Sequence, residues 1–501
     1  MVIVQPPKKI HLLINLKFNT NLTDENFKMS KYKIYVSDYN FADEVRKEQN
    51  IQSMNNVKIC DTTLRDGEQT AGVIFSSDEK LEIAKYLAEL GVEQIEAGIP
   101  VVSQNDVDAI KLIVKEKEER NLKVSIMGWS RANKKDIDKV VETGCDAIAI
   151  SLATSNIHLE HKLHRTKEEI LNMAAEAVSY AHSHGLYISF NAEDGSRTDY
   201  DLLIEYIKTC KNAGGKRLRL CDTVSALNPT SAKFLVKKIK QTVDIPIEIH
   251  AHNDYGLAVA NSLAAIEAGA EYVSTTVNGI GERSGNASLE QIIMSLICLY
   301  KTDSKYKTEN LKKISEYVEN ASNIKVSQML PVVGENAFRH ESGIHVDGLL
   351  KFPFTYQTYS PQMVGQKMKL IIGKMSGKSA IKGKLDEYKI KASETDMDEI
   401  LKQVKIAAER RKSALLDEEF IEIVHNVMKK EAFILVEVLP KERPKVYDEI
   451  GKISDIEVYE VAGNVDIILK TTQKSAESII EKINEIEGVT KTATYAVIKR
   501  I

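Results

Sequence analysis

The chain has 501 residues, 43% of them hydrophobic, which is enough for one large domain with additions or for three ordinary domains with real cores. Its 68 lysines and arginines against 72 acidic residues leave a formal charge of -4, which excludes a general attraction to nucleic acid or to an anionic membrane and favours small-molecule partners. Five scattered cysteines (Cys60, Cys145, Cys210, Cys221, Cys298) form no CxxC pair, and no apolar run approaches the ~20 residues of a membrane span, so the expectation is a reduced, cytoplasmic protein.

Residues 1–56 lack periodicity and carry no motif, and Met29 and Met54 are both alternative starts; a loose, disordered extension without function is expected there. The basic, briefly apolar KKIHLLINLKFN has no small-residue cleavage site after it and does not read as a signal peptide.

From Val57 the texture becomes regular. Short β-rich runs (VKICDTTL, VEQIEAGI, LKVSIMGW, CDAIAISLA, LYISFNAED, RLRLCDT, PIEIHAHN, AEYVSTTVNG) alternate with amphipathic stretches of helical length. Eight such units over residues 57–303 are the number and length of a (β/α)8 TIM barrel, an α/β fold. Residues 304–430 mix loop and helix, carry HESGIHVDG, and are expected to form a linker with helical subdomains. Residues 431–501 read as β-α-β-β-α-β, a ferredoxin-like module of regulatory or assembly type.

A barrel of this kind presents its chemistry at the C-terminal ends of its strands. Arg65 and Asp66 follow the first strand, Arg131 ends the third, Glu193 and Asp194 the fifth, Asp222 and Thr223 the sixth, and IEIHAHNDYG places His250 and His252 at the end of the seventh. Residues i and i+2 of a strand share a face, so the two imidazoles converge. With a carboxylate from another strand, Asp66 being the best placed, they make a divalent metal site; alone, they read equally as two hydrogen-bonded rim histidines. Arg65, at the mouth, suits a carboxylate or a developing oxyanion, although its loop also reads as an ordinary surface turn. NGIGERSGN matches neither phosphate-loop spacing, but its Asn286 is within reach of a metal. His345 is, by spacing alone, a lone histidine with a structural role.

Taken together, DTTLRDGEQTAG, FNAEDGSRTD, CDTV, HAHNDYGLAVANS, TTVNGIGERSGNASLE and FRHESGIHVDGLL resemble, in order and spacing, the acyl-CoA-dependent synthases that make isopropylmalate, homocitrate and citramalate. The resemblance covers about residues 57–385. It implies a divalent cation (Zn, Mn or Mg) on Asp66, His250 and His252 with Asn286 nearby, chelating a 2-oxo acid that Arg65, Glu193 and Thr223 also contact. It implies acetyl-CoA as co-substrate, His345 as the base that deprotonates it with Tyr356 in support, and a homodimer whose exchanged C-terminal segments bring that histidine from the partner. EAGIPVVSQ and IMGWSRANKKDIDK look most like homocitrate synthases, including those of nitrogenase cofactor assembly, which take 2-oxoglutarate; Arg131, or else Arg165, would then meet the second carboxylate.

Three departures stand out. Glu160 occupies a place where some homocitrate synthases carry arginine, which keeps isopropylmalate and citramalate synthase open. Ser225 stands where glycine is usual, and Met375 where histidine is common. The last domain looks like the effector-binding modules of ACT or Lrp type, with an amino-acid effector or an assembly role. A lyase of the hydroxymethylglutaryl-CoA or oxaloacetate decarboxylase-like barrels, and a non-catalytic ligand sensor, are the competing readings.

Overall fold

The alternating runs close, in a computed structural model, into a barrel of eight parallel strands in sequential order, with the first paired to the last. The structure describes residues 34–303, 305–428, 431–454 and 456–496. The strands are β1 (Lys58–Asp61), β2 (Gln94–Glu96), β3 (Ser125–Arg131), β4 (Ala147–Ala153), β5 (Tyr187–Glu193), β6 (Arg217–Asp222), β7 (Ile247–Ala251) and β8 (Tyr272–Thr275). The expected barrel is borne out.

Several barrel helices start on local capping signals. Ser76 and Thr166 cap their helices reciprocally with Glu79 and Glu169, and Asn228 does so with Ser231 ahead of Pro229. The outward-facing strand residues and the inner helix faces form one continuous apolar shell, in which Ile59, Ile95, Ile126, Ile148, Ile188 and Leu218 are fully or almost fully buried. Strand alternation therefore turns the other set of side chains into the barrel.

Two expectations about domain limits change. Residues 34–56 are folded: the bridge between Ile34 and Tyr359, the Tyr35 N–H bonded to Thr358 O at 2.7 Å, and the Tyr35 ring 4.3 Å from that of Phe354 tie this segment to the region after residue 350. Arg46 Nη1 reaches Tyr300 O, and Met54 is buried in the barrel shell. An apolar ring or methionine that can be buried against existing surface offsets the entropy of ordering the chain. The proposed start at Met29 and the KKIHLLINLKFN stretch lie outside the described residues. The barrel's packing also continues past residue 303, because Leu311, Ile314 and Val318 of the helix Leu311–Ser322 join the same apolar shell.

Beyond it, β9 (Arg339–His340) and β10 (Lys369–Leu370) pair in parallel, and the helices Lys378–Glu387, Glu394–Arg411 and Asp417–Met428 surround a second apolar cluster that includes Val346, Ile381, Ile400 and Phe420. A third cluster belongs to β11 (Glu431–Val438), β12 (Glu457–Glu460), β13 (Ile467–Thr472) and β14 (Val489–Ala496), an antiparallel sheet in the order β12-β13-β11-β14 with the helices Arg443–Ile450 and Gln473–Asn484. No helix among the described residues is long and apolar enough to cross a membrane.

Candidate metal centre

His250 is the fourth residue of β7 and His252 follows the strand, so the alternation that buries Ile247 and Ile249 outward turns Glu248, His250 and His252 inward. Asp66 comes from the turn after β1, where the N–H groups of Arg65, Asp66 and Gly67 all point to Thr62 O. One ligand atom from each of Asp66, His250 and His252 lies within 4.8 Å of the others, and all three residues are buried. The imidazole rings stand nearly perpendicular, 87° apart with centroids 5.0 Å from each other.

The polar atoms here lack ordinary partners. His250 Nε2 is 2.9 Å and His252 Nε2 3.8 Å from Asp66 Oδ2, which Arg65 Nη1 approaches at 3.2 Å, while both carboxylate oxygens and both Nδ1 atoms are buried without a hydrogen bond of ordinary geometry. Asn286 Oδ1 is orphaned in the same way, while its Nδ2 donates to Ile280 O at 3.2 Å and its backbone bridges to His252. The glycines of NGIGERSGN make this approach feasible: a Cβ on Gly281 would collide with the Asn286 amide, and one on Gly285 with the Gly279 carbonyl. Buried polar groups left without a hydrogen bond cost about 1–3 kcal/mol each, so three converging residues and the adjoining Asn286 that leave them so mark a site for a ligand. Two imidazoles, a carboxylate and an amide oxygen suit a divalent cation of borderline to hard character.

The electrostatics agree. Burial works against both charges, yet Glu96 and Asp66 keep Arg65 above its ordinary range, and Arg65, then His250 and His252, hold Asp66 well below the usual carboxylate range. Burial, followed by the neighbouring His250, lowers His252 to about 4, which leaves its imidazole neutral for ligation near pH 7.

Other expected residues fall into four groups. Arg65 adjoins the centre: Nη1 lies 3.2 Å from Asp66 Oδ2 and Nε donates to Glu96 Oε2 at 2.8 Å, beside a cavity of about 500 Å³ that Gln69, Ile99 and Val102 also line. Glu193 and Thr223 lie at neighbouring strand ends with partners of their own. Glu193 Oε1 accepts from Lys162 at 2.5 Å, and Thr223 Oγ1 accepts from the Asp194 N–H at 2.8 Å. Arg131 is 65% exposed and bound through Nε and Nη2 to both oxygens of Asp136, so its charge is already matched by its own loop; Arg165 is likewise paired with Glu169. His345 and Tyr356 stack on one another, with ring centroids 4.1 Å apart, and both are exposed. Among the described residues, no hydrogen bond, ion pair or ring contact joins them to Asp66, His250 or His252.

The departures also find places. Ser225 adopts φ 53, the left-handed conformation that glycine takes most easily, and its hydroxyl compensates by donating to Asp254 Oδ2 at 2.7 Å and accepting from the Asp254 N–H. Met375 exposes its side chain while its backbone holds Glu341 and Gly343 of the HESG turn.

Glu96, Arg219 and Glu248 were not anticipated. Glu96 presents one oxygen to Arg65 and the other to Arg219, and Arg219 also meets Glu248. The signal for them was present as charges at alternate positions of apolar strands, in QIE, RLRLCD and IEIHAH.

A closed parallel barrel with a histidine–carboxylate cluster on its C-terminal rim defines a TIM-barrel protein with a candidate metal centre. The particular family follows from comparison. The HMGL-like family profile matches residues 56–318, and a profile described as homocitrate synthase post-HMGL domain-like matches residues 332–412. The chain belongs to the HMGL-like family, and its motif resemblance to the isopropylmalate, homocitrate and citramalate synthases is borne out. It is 47% identical over 374 residues to a 2-isopropylmalate synthase 2 of Caldanaerobacter subterraneus, a match covering 75% of this chain and 96% of the relative. Homocitrate synthase AksA of Methanopyrus kandleri is 46% identical over 372 residues, covering 74% of this chain and 92% of its own. (R)-Citramalate synthase CimA of Methanocaldococcus jannaschii is 38% identical over 460 residues, covering 88% and 93%.

Proposed function

We propose that this protein condenses acetyl-CoA with a 2-oxo acid, releasing CoA, and that the acid is 2-oxoglutarate. The observation that carries the reaction is the set of orphaned polar groups on Asp66, His250, His252 and Asn286 with the Arg65 guanidinium beside them. These four residues would hold the divalent cation, which when bound supplies Lewis-acid polarisation of the keto group. Arg65 stabilises negative charge as it develops on the keto oxygen. His345 takes a proton from the acetyl methyl group, with Tyr356 against its ring. The resulting carbanion bonds to the keto carbon, the keto oxygen gains a proton, and water then cleaves the thioester. Glu193 and Thr223 orient the acid.

In a single chain His345 is exposed and, among the described residues, has no hydrogen bond, ion pair or ring contact with Asp66, His250 or His252, which supports a homodimer in which it serves the partner's site. The 2-oxoglutarate assignment rests on the EAGIP and IMGWSR tracts. A second reading, 2-oxoisovalerate, is favoured by Glu160 and by the isopropylmalate synthase relative. The residues after 430 are read as a separate ferredoxin-like regulatory or assembly module, and the protein as cytoplasmic.

Purified protein given acetyl-CoA and a panel of 2-oxo acids should release CoA fastest with 2-oxoglutarate. Preference for 2-oxoisovalerate or pyruvate would replace the substrate, and acyl-CoA cleavage without condensation would replace the reaction.

A further inference from the structure

Below the candidate centre the barrel interior carries charge where branched aliphatic side chains are usual. Glu96 on β2, Arg217 and Arg219 on β6, and Glu248 on β7 are all fully inaccessible to solvent. They form a continuous path. Arg217 Nε lies 2.9 Å from Glu248 Oε2, and Glu248 Oε1 2.8 Å from Arg219 Nε, both as ion pairs without hydrogen-bond geometry. Arg219 Nη1 meets Glu96 Oε1 at 2.8 Å, and Glu96 Oε2 meets Arg65 Nε at 2.8 Å. Arg65 Nη1 then lies 3.2 Å from Asp66 Oδ2. From the lower layer to the rim the charges alternate in sign.

Neutral groups hold the lower end in place. Gln94 Oε1 accepts from Arg217 Nη2 at 2.6 Å, the Tyr272 ring lies 4.1 Å from the Arg217 guanidinium, and Ser274 Oγ donates to Glu248 Oε1 at 2.5 Å. Despite burial, both carboxylates are held below their usual range, by Arg219 and Arg65 for Glu96 and by Arg217 and Arg219 for Glu248. A buried ion pair seldom stabilises a fold more than apolar residues of the same volume would. Stability alone therefore does not account for the path, whose upper end is the one pair that reaches the rim.

We propose that Arg219 and Glu248 are positioning residues: they fix the Glu96 carboxylate so that its second oxygen holds the Arg65 guanidinium beside Asp66. The inference rests on the condensation proposed above, and its physical content is a competition for Glu96. Without Glu248, Arg219 keeps Glu96 as its sole carboxylate, draws it away from Arg65, and lets Arg65 lean onto Asp66. Without Arg219, Glu96 is free to engage Arg65 with both oxygens and pull the guanidinium down from the rim. Either way a group that stabilises transition-state charge is displaced, a loss that falls on kcat and not on KM.

The test compares full-length wild type with Glu248→Gln, Arg219→Gln, Arg219→Lys and the charge-balanced double variant Glu248→Gln/Arg219→Gln. For each, kcat and KM are measured at saturating metal with the preferred 2-oxo acid, alongside the melting temperature and the affinity for Mn2+ by titration. The two single glutamine variants should lose at least about tenfold in kcat while KM for the acid stays within about threefold. Arg219→Lys, which keeps a charge able to reach both carboxylates, should recover part of that loss. The double variant should regain melting temperature but not kcat.

A folded Glu248→Gln with wild-type kcat, or a double variant that regains kcat together with stability, would reduce the path to a structural role and overturn the inference. If Glu248→Gln does not fold, Arg219→Lys and the double variant decide it. If wild type turns over none of the acids, the proposed reaction fails by itself. The inference then stands or falls on Mn2+ affinity, which Glu248→Gln should weaken at least about threefold as Arg65 competes for Asp66, and an unchanged affinity overturns it.

Discussion

His250 Nε2 lies 2.9 Å and His252 Nε2 3.8 Å from the same oxygen, Asp66 Oδ2. Two imidazole nitrogens brought so close to one buried carboxylate oxygen are arranged about a common third partner. A divalent cation should therefore bind the native state and raise its melting temperature in proportion to the logarithm of its concentration, by about 2.7 kcal/mol at a hundred times Kd. Chelation should abolish CoA release and readdition restore it. Asp66→Ala and His252→Ala should lose both the metal, by elemental analysis, and the thermal shift, while circular dichroism of the barrel stays unchanged.

Acid–base linkage offers a test in the buried first strand. Burial outweighs the hydrogen bonds from Thr63 and Thr275 and raises Asp61 to about 7. Between its unfolded value near 3.8 and that folded value, the native state binds more protons than the unfolded one. Stability from this group is therefore complete below about pH 4, declines through the window and is gone above about pH 7. Asp61→Asn should flatten the fall in urea midpoint between pH 5 and pH 7. Asp66, whose pKa is depressed, acts in the opposite sense, losing its stabilisation only as pH drops below the ordinary carboxylate range.

If His345 serves the site of a second copy, two inactive variants should complement one another. Co-expressed Asp66→Ala and His345→Ala chains that pair at random should yield about a quarter of wild-type activity, because half of the dimers then carry one intact site of two. Separate preparations of each should be inactive. Activity in His345→Ala alone would remove the histidine from the reaction.

Tyr35 packs edge-on to Phe352 at 5.4 Å and obliquely on Phe354 at 4.3 Å, two residues before Tyr356. Ring pairs of this kind contribute about 0.5–1.5 kcal/mol beyond area. Tyr35→Ala should speed hydrogen exchange in residues 352–359 and lower kcat several-fold, with metal content unchanged, and Tyr35→Phe should restore both.

The barrel was legible because period-two and period-3.6 hydrophobic patterns are local properties, so β1 to β8 can be counted without knowing where they go. The rim residues were legible for the same reason: the position of His250 and His252 near a strand end follows from chain order alone. The residues after 56 obeyed that logic, whereas Tyr35 and Met54 did not, since what orders them is surface supplied by residues near 355 and by the barrel shell.

Glu96 and Arg219 mark the limit. Each appears in sequence as a charge within an apolar strand, and a strand read alone does not reveal whether its alternate face meets water, a helix or another charge. Only closure of the barrel sets β2 opposite β6 and places the Arg219 guanidinium, 123 positions away in the chain, 2.8 Å from Glu96. The sequence by itself determined the barrel and the pairing of His250 with His252 on one strand face, because these depend on residue type and local spacing, and its motifs carried the family resemblance that named Asp66 as their partner. The tertiary structure alone decided that Arg131 is already paired, that His345 is exposed against Tyr356, and that Arg65 hangs from a buried chain of charge, because each depends on which neighbours share the same space.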